Sequence, residues 1–412
     1  MYALAAVGLL TYIFSYHHLK ILHCLDKAYQ LTSFVGFRTF LKGYRGKKKD
    51  KVFIAEPFSP DSSSFEVQSE ATAASSTFHR FVTGGAKSFA SCLPKREMYI
   101  GKSDMGIKEI DYTNNIETSV QYFSLAEEYF SSLVRLTSIK NTDKHEILTI
   151  SALDGLAKME PDGGNLNNLL KNMGRTLEGW MSVIHADNVT MTMPFYKMST
   201  EPADSASIRV EEGGHYCLSY IEDDPLHFLP IVYDTDIVFG QDTTLLKPRG
   251  LMASSVKDMI ERRQYGEAKT SSCFAAIDEF VLGPGEEVTI VSFYGKTENI
   301  SQVPQIATTI ASEGYAQKKL VASRNIIKSI TDEVETRTNN GLFDGHVKQM
   351  FLDNSLRGGK PLILGDIEEN MESCNADEDP RLKVYHTFSR IHGDLERDYN
   401  DFVLEPTYFS QV

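Results

Sequence analysis

This sequence of 412 residues predicts a mainly β protein, an antiparallel β-sandwich followed by C-terminal helices. The first observation is a succession of short segments, rich in β-branched and aromatic residues, between residues 111 and 295. Turn residues such as Gly213-Gly214 separate many of them, and repeated strands without helices in between favour an antiparallel sandwich over a parallel sheet. The second observation is a change of period after Gly295, where apolar residues such as Leu320 and Ile327 recur at helical spacing.

The predicted strands occupy the first part of the chain. They are Ser119–Ser124, Leu133–Ile139, Ile147–Ala152, Ser207–Val210, Tyr216–Tyr220, Pro230–Tyr233, Cys273–Phe280 and Val288–Phe293. Helices are expected among them at Leu166–Met181 and Ser254–Arg263. Three more are expected afterwards, a long one within 303–338, a second over Asp344–Leu356 and a third over Val384–Tyr399.

Charge divides the chain into a basic head and an acidic body. The net charge is −14, but residues 1–51 contain nine Lys or Arg and two Asp, a net of +7, which leaves −21 on the rest. An acidic body argues against a nucleic-acid partner, because binding to phosphate backbones needs dense Lys and Arg. We expect the basic head, 1–51, to have its own role near a membrane surface, joined to the body by a flexible linker, 52–77.

The N-terminal segment also bears on localisation. Residues 1–19 contain no Lys, Arg, Asp or Glu and are largely apolar, at the lower limit of length for crossing a bilayer. The five cysteines include no C-x-x-C pair, which fits a reducing compartment. The sequence therefore predicts a cytoplasmic protein, with an N-terminal membrane anchor and an ordinary apolar helix as the two alternatives for residues 1–19.

Known chemical motifs are absent from the sequence, but polar residues are dense near the C-terminus. The histidines do not have metal-binding spacing, and no dinucleotide-binding or P-loop motif occurs, so neither a metal nor a cofactor is expected. Carboxylates and arginines suit sugar hydroxyls, and the candidate substrate-binding residues are Asp353, Arg357, Arg390, His392, Asp394, Arg397 and Asp398. The alternative is a solvated helix rim with i,i+3 and i,i+4 ion pairs.

Several segments resemble the cellobiose-phosphorylase-like family, and within it the β-1,3-glucan phosphorylases. They are Glu117–Leu125, Leu133–Asn141, Asn172–Trp180, Phe239–Leu251, Phe351–Pro361 and Tyr385–Gln411. The likeness covers about residues 78–411, and it is most specific in the last segment, YHTFSRIHGDLERDYNDFVLEPTYFSQ.

The resemblance implies a domain order and a reaction. It implies a supersandwich-like β-sandwich over 78–300, a helical linker over 301–341, and the start of an incomplete (α/α) barrel of helix pairs over 342–412. Enzymes of this family cleave a β-glucosidic bond with inversion, using inorganic phosphate as the nucleophile and a carboxylic acid to protonate the leaving oxygen. The implied partners are a β-glucan oligosaccharide and phosphate.

The resemblance assigns no catalytic residue to this chain, because the family's general acid follows the position of Val412. The seven polar residues named above would at most line the sugar or phosphate cleft. We expect a fragment of a phosphorylase that is inactive alone; a non-catalytic carbohydrate-binding module and a membrane-tethered scaffold are the alternatives. Without neighbouring barrel helices, an apolar face with Phe343 and Met350 would be exposed and would favour a homodimer.

Overall fold

The computed structural model describes residues 36–46, 52–59, 66–69, 94–159, 161, 174–187, 191–198, 213–356, 362–364, 382–386 and 409–411. The chain is mainly β, with mostly antiparallel sheets and a few C-terminal helices, which confirms the predicted fold class. It divides into two units, the first ending at Arg324 and the second beginning at Asn325.

The strands, in chain order, are β1 (Phe37–Arg45), β2 (Phe53–Ala55), β3 (Glu66–Ser69), β4 (Lys95–Ile100), β5 (Asp104–Asp111), β6 (Ile116–Ser124), β7 (Ser131–Asn141), β8 (Leu148–Met159), β9 (Met181–His185), β10 (Pro194–Met198), β11 (Gly214–Ile221), β12 (Asp224–Phe228), β13 (Ile231–Val232), β14 (Ser271–Leu282), β15 (Glu287–Thr297), β16 (Leu362–Leu364), β17 (Leu382–His386) and β18 (Phe409–Gln411). The helices are α1 (Thr235–Phe239), α2 (Arg249–Ala253), α3 (Val256–Glu261), α4 (Val303–Ile310), α5 (Tyr315–Thr331) and α6 (Gly341–Leu356). Short 3₁₀ helices cover Gly174–Trp180 and Ile300–Gln302.

Two sheets build the first unit. The first sheet has the order β13-β14-β8-β1-β2, and the second has the order β3-β4-β5-β6-β7-β15-β11-β10-β9, with β12 paired to β11. All of these pairs are antiparallel except β3 with β4. The sheets face each other, because Arg135 of β7 contacts Asp154 of β8. In the second unit, β16, β17 and β18 form a small antiparallel sheet.

Helices cover the outer faces of both sheets. Leu153 and Phe274 of the first sheet pack against apolar residues of α1, α2 and α3. Val134 and Phe293 of the second sheet pack against α4 and the first turns of α5. The first unit therefore has four layers, helix–sheet–sheet–helix. Residues on both faces of the central strands are buried, which explains why β8 reads as an almost continuous buried run.

The N-terminal region departs from the predicted division into head and linker. Strand β1 lies within the predicted basic head, yet it pairs with β8 over its whole length, from Phe37 with Leu156 to Arg45 with Leu148. Its positively charged side chains have partners inside the fold, since Lys42 donates to two carbonyl oxygens near the end of α2 at 2.8 Å each. The residues of β1 therefore belong to the sandwich. The net charge of a segment could not show this, because it does not reveal whether a lysine has a hydrogen-bond partner inside the fold.

The strand predictions that fall on described residues are confirmed, with longer bounds in most cases. The predicted helix at Ser254–Arg263 appears as α3, which begins with a capping box formed by Ser255 and Asp258. Of the predicted helix Leu166–Met181, the described part is the 3₁₀ helix Gly174–Trp180, and Met181 already belongs to β9. The predicted strand Ser207–Val210 lies outside the described residues.

The C-terminal helices are confirmed in part. The long helix predicted within 303–338 is divided into α4 and α5 near Gly314, which has a φ of +66°, and it ends at Thr331. The helix predicted over Asp344–Leu356 is α6, on which the side chains of Phe343 and Met350 are exposed as expected. The homodimer stays a prediction.

The helix predicted at Val384–Tyr399 is wrong at its start. Val384, Tyr385 and His386 belong to strand β17, which pairs with β16 on one side and β18 on the other. A β-branched residue followed by an aromatic one, as in Val384-Tyr385, suits a strand. Pairing of this strand on both sides outweighs the helical spacing of the polar residues. The rest of this predicted helix lies outside the described residues, so the incomplete barrel stays a prediction.

Candidate functional site

The predicted substrate-binding residues lie almost entirely outside the described part of the chain. Asp353 is placed near the C-terminal end of α6. The remaining six lie outside the described residues, namely Arg357, Arg390, His392, Asp394, Arg397 and Asp398. Whether these side chains converge on a sugar is therefore not tested, and their role stays a prediction.

A polar cluster does lie between the two sheets, and we call it the inter-sheet cluster. Arg135 of β7 donates to Asp154 of β8 twice, from Nη2 to Oδ1 at 2.7 Å and from Nε to Oδ2 at 3.1 Å. The two side chains are 2% and 0% exposed. Thr39 and Thr137 donate to the same carboxylate at 2.6 and 2.9 Å, and Arg135 donates to the hydroxyl of Tyr122.

The inter-sheet cluster is built to hold the sandwich together. Burial alone would lower the pKa of Arg135, but the Asp154 carboxylate outweighs burial and the net shift of the pKa is upward. Burial raises the pKa of Tyr122 to about 12, against the opposing effect of Arg135. Arg135 therefore stays charged and the Tyr122 phenol stays protonated over the physiological pH range. With its partners satisfied internally and no exposed edge, this cluster has a structural role.

A second polar cluster lies where the two sheets meet at one edge, and we call it the corner cluster. It consists of His185, Tyr233, Asp234, Gln264 and Lys269. His185 ends β9, the last strand of the second sheet, and Tyr233 follows β13, the end strand of the first. The segment 264–269 runs along β9, where Val183 N donates to Gly266 O at 2.8 Å. Three separate stretches of chain thus supply the corner cluster.

His185 and Tyr233 form the centre of the corner cluster. The His185 Nε2 and Tyr233 Oη atoms are 3.3 Å apart, and the ring centroids are 5.3 Å apart. The other imidazole nitrogen, Nδ1 of His185, is buried and has no hydrogen-bond partner among the described residues. A buried polar atom without a partner is uncommon in a folded protein, but the hydroxyl groups of Ser271 and Tyr294 are such atoms as well.

The protonation states follow from burial. Burial lowers the pKa of His185, with Asp187 opposing the shift in part. Burial raises the pKa of Tyr233, and Asp234 adds to that increase. At neutral pH the corner cluster therefore presents a neutral imidazole beside a protonated phenol. Each of these groups can both donate and accept a hydrogen bond, which suits binding to hydroxyl groups.

Asp234 holds the segments of the corner cluster together through its carboxylate. Its carboxylate accepts from Asp236 N at 3.0 Å, which caps α1, and from Tyr265 N at 2.9 Å. Lys269 pairs with the same carboxylate and also with Asp236, at 3.1 Å from its Oδ2. Burial opposes the charge on Lys269, but the two carboxylates outweigh it and raise the pKa of this ammonium.

Gln264 holds the backbone on either side of Tyr233. Its Oε1 accepts from Tyr233 N at 2.7 Å and from Asp234 N at 3.2 Å. Its Nε2 donates to Ile231 O at 3.1 Å. The position of the Tyr233 ring is therefore set by hydrogen bonds to the backbone from a buried side chain, which is typical of a preorganised site.

An exposed aromatic ring lies on the other face of β9 from the corner cluster. Ser182 of β9 pairs with Glu267, and continuing this antiparallel register places Ile184 opposite Tyr265. Both of these side chains are exposed, and Tyr265 is 58% exposed. The guanidinium carbon of Arg263 lies 5.2 Å from the centroid of the Tyr265 ring. Side chains of adjacent strand residues point to opposite faces, so Tyr265 and Ile184 lie on the face of β9 opposite to His185 and Tyr233.

Strained backbone lies in one segment of the corner, 264–269, and at Met191, whose sulfur accepts from Gln264 Nε2 at 3.7 Å. Met191 and Ala268 have φ values of 54° and 55°, a region that residues other than glycine seldom adopt. Ile231 N donates to Met191 O at 3.2 Å, and Ala268 N donates to Met181 O at 2.9 Å. Such strain persists where the surrounding structure fixes it, and it is often found at binding sites.

The sequence contained no signal for the corner cluster. His185 and Tyr233 are 48 residues apart, and neither belongs to a motif. Only the pairing of β9 with the segment 266–268 brings them together.

Within the described ranges, no three His, Cys, Asp or Glu residues are grouped so that they could hold a metal ion. Over the same residues, none of the helices has both the length and the apolar composition needed to cross a membrane.

No protein-family model matches the chain, and no curated protein matches it. Among solved structures, the chain is similar to a polysaccharide lyase, with 6% sequence identity and a TM-score of 0.29. The match covers 66% of this chain and 28% of the lyase chain. A likeness at this TM-score carries no argument about the function of this protein.

Proposed function

We propose that this protein is a carbohydrate-binding β-sandwich related to the β-glucan phosphorylases, and that it binds β-glucan oligosaccharides. The observation that carries the proposal is the order of elements. A large antiparallel sandwich is followed directly by α4 and α5, which pack on the outer face of its second sheet. The resemblance of Tyr385–Gln411 to the phosphorylases implies a sandwich and then helices in this order.

The chemistry proposed for the family divides into binding and turnover. Phosphorolysis with inversion needs one general acid, while phosphate supplies the nucleophile. The resemblance assigns that acid to no residue of this sequence. For these 412 residues by themselves we therefore propose binding without turnover, with Asp353, Arg390 and the neighbouring polar residues lining the sugar or phosphate cleft in a longer relative.

Calorimetric titration of the full chain with a β-1,3-linked glucose pentamer tests the binding part. We expect a dissociation constant in the range from about 10 µM to 1 mM, which corresponds to about −7 to −4 kcal/mol. An α-1,4-linked glucose pentamer is the matched control, and we expect much weaker binding. Equal binding of both sugars, or no binding of either, would contradict the proposal.

The turnover part needs a separate assay, the release of glucose 1-phosphate from the β-1,3-linked oligosaccharide and inorganic phosphate. We expect no release above a control without protein, since loss of a general acid alone costs about two to four orders of magnitude in rate. Measurable release would show that one of the carboxylic acids of this chain serves as the acid.

A further inference from the structure

We propose that this protein forms a symmetric homodimer through an exposed apolar patch on the outer face of its first sheet. The proposal goes beyond the binding of β-glucan and does not depend on it. The surface also differs from the exposed face of α6, with Phe343 and Met350, which the sequence suggested as a dimer contact. The new surface, which we call the sheet patch, consists of Tyr44, Val52, Ile54, Ile147 and Val281.

Strand pairing places three of these residues side by side. Tyr44 of β1 and Val281 of β14 both lie opposite Thr149, one on each side of β8. Ile54 of β2 lies opposite Lys42, which is two residues from Tyr44 along β1. Residues directly opposite each other in antiparallel strands, and residues two apart in one strand, point to the same face. These side chains therefore share one face of the sheet.

The other two members lie at the starts of their strands. Ile147 directly precedes β8, and Gly46 N donates to its carbonyl oxygen at 3.1 Å, which extends the pairing with β1 by one residue. Val52 directly precedes β2 and is two residues from Ile54. The sheet patch thus crosses four neighbouring strands, in the order β14, β8, β1 and β2.

This face is the outer one, and α1, α2 and α3 cover only part of it. Phe40, which is four residues from Tyr44 on the same side of β1, packs with Leu153 against these helices. Lys42 marks the boundary of the covered part, since it donates to two carbonyl oxygens near the end of α2. The sheet patch occupies the part of the face beyond Lys42.

The size of the sheet patch suits a dimer contact. Val52, Ile54, Ile147 and Val281 are between 40% and 59% exposed. With the Tyr44 ring they present roughly 400 Å² of apolar surface, and contiguous patches of this size are often functional. A standard interface buries about 800 Å² on each partner, slightly more than half of it apolar. The sheet patch therefore provides nearly all the apolar surface that each partner needs.

Charge at the border of the sheet patch favours a second copy over a membrane. Asp278 and Glu279 are exposed and closely precede Val281 in β14. An acidic border of this kind disfavours an anionic lipid surface. An apolar sheet face fits the same face of a second copy, because two sheets pack face to face with interdigitated side chains. Most soluble oligomers use such two-fold interfaces.

The same acidic border determines the direction of the two-fold axis. An axis in the interface and perpendicular to the strands would place β14 of one protomer against β14 of its partner, so that like charges meet. An axis parallel to the strands places β14 against β2 of the partner, where Glu56 is paired with Arg38 at 2.6 Å. The axis is therefore parallel to the strands, and Val281 of one protomer faces the partner's Val52.

Sedimentation equilibrium of the full chain at about 10 µM tests the surface, because interfaces of standard size have dissociation constants of about 1 µM or below. We expect a mass of twice 46.2 kDa. Val281→Lys would bury an unpaired charge twice in each dimer, and we expect the dissociation constant to rise more than about hundredfold. Phe343→Lys is the matched control on α6, where Phe343 is 51% exposed, and we expect a change of less than about twofold.

Both substituted side chains are exposed, so both variants should fold, and their melting temperatures provide the check. Loss of the dimer in Val281→Lys alone supports the proposal. Any other pattern overturns it, including a monomeric unaltered chain or a dimer that only Phe343→Lys dissociates.

A second substitution tests the direction of the axis. Val281→Lys/Val52→Glu places opposite charges at positions that face each other across the interface, and we expect it to bind its partner at least about tenfold more tightly than Val281→Lys. Val281→Lys/Val52→Lys is the control with like charges and should stay monomeric. If the pair of opposite charges restores no dimer, the parallel axis is wrong.

Discussion

The inter-sheet cluster and the corner cluster are built from similar parts but differ in what they leave unsatisfied. Each contains a cation paired with a buried aspartate, Arg135 with Asp154 in one and Lys269 with Asp234 in the other. Each also places a tyrosine beside that pair. In the inter-sheet cluster the charged groups are satisfied internally, whereas the corner cluster has a nitrogen, on His185, without a partner among the described residues.

Shifted pKa values do not distinguish the two clusters. Burial raises the pKa of Tyr122 in the first and that of Tyr233 in the second. The pKa of the cation is raised in both, because the aspartate partners outweigh the effect of burial on Arg135 and Lys269. Access to the surface is what separates the corner cluster, in which the Lys269 side chain is 25% exposed, from the inter-sheet cluster.

The largest expected effect is that of Arg135→Met in the inter-sheet cluster. The substitution leaves the Asp154 carboxylate buried without its cation, and we expect the free energy of unfolding to fall by about 3–5 kcal/mol. Urea unfolding measures it. The double variant Arg135→Met/Asp154→Leu removes both charges and should be more stable than the single variant. A loss of less than about 1 kcal/mol in the single variant would contradict a structural role for this pair.

A smaller effect is expected for Asp234→Ala in the corner cluster. The change removes the partner of Lys269 and the acceptor for two backbone N–H groups, and we expect a loss of about 2–3 kcal/mol in the free energy of unfolding. Asp236→Ala is the matched control, because its side chain is 76% exposed. We expect that control to cost less than about 0.5 kcal/mol. Equal losses would mean that Asp234 does not anchor the corner.

The smallest effect on stability is expected from the protonation of His185. Its pKa in the folded protein lies below the ordinary value of 6.5, so the unfolded chain binds a proton more readily. The resulting stability is fully present above pH 6.5 and is lost as the pH falls through the lower, folded-state pKa. We expect the free energy of unfolding of His185→Gln to decrease less between pH 7.5 and pH 5 than that of the unaltered chain. Parallel pH profiles for the two proteins would show that His185 has an ordinary environment.

The local sequence pattern predicted much of the sandwich, but it failed where pairing between distant segments determines the secondary structure. Strand β6 alternates in burial over its first six residues, and β7 and β15 are nearly continuous buried runs rich in β-branched and aromatic residues, so their existence could be predicted. Strand β1 was missed because its lysine and arginines resemble a solvated segment, although Lys42 and Arg38 are bound to groups more than 200 residues away. Strand β17 was taken for a helix because its partners β16 and β18 are separated from it in the chain.

The same reasoning explains why the corner cluster could not be predicted. Its three stretches of chain meet because β9 is the last strand of the second sheet and β13 is the end strand of the first. The local periodicity of a sequence does not reveal the order of strands in a sheet. The sequence instead drew attention to the C-terminal polar residues, such as Asp394 and Arg397, for which spacing and a family resemblance were both visible. These residues stay predictions.

The position of β1 has a consequence for the nascent chain. This strand leaves the ribosome before its main partner, β8, which is completed only at Met159. The two sheets also need β14 and β15, which end at Leu282 and Thr297. Until those strands are synthesised, Phe40 and Leu41, both fully buried in the finished fold, lack the apolar surface against which they pack. An unpaired apolar strand of this kind is prone to aggregate, so β1 is the segment on which a chaperone would act during synthesis.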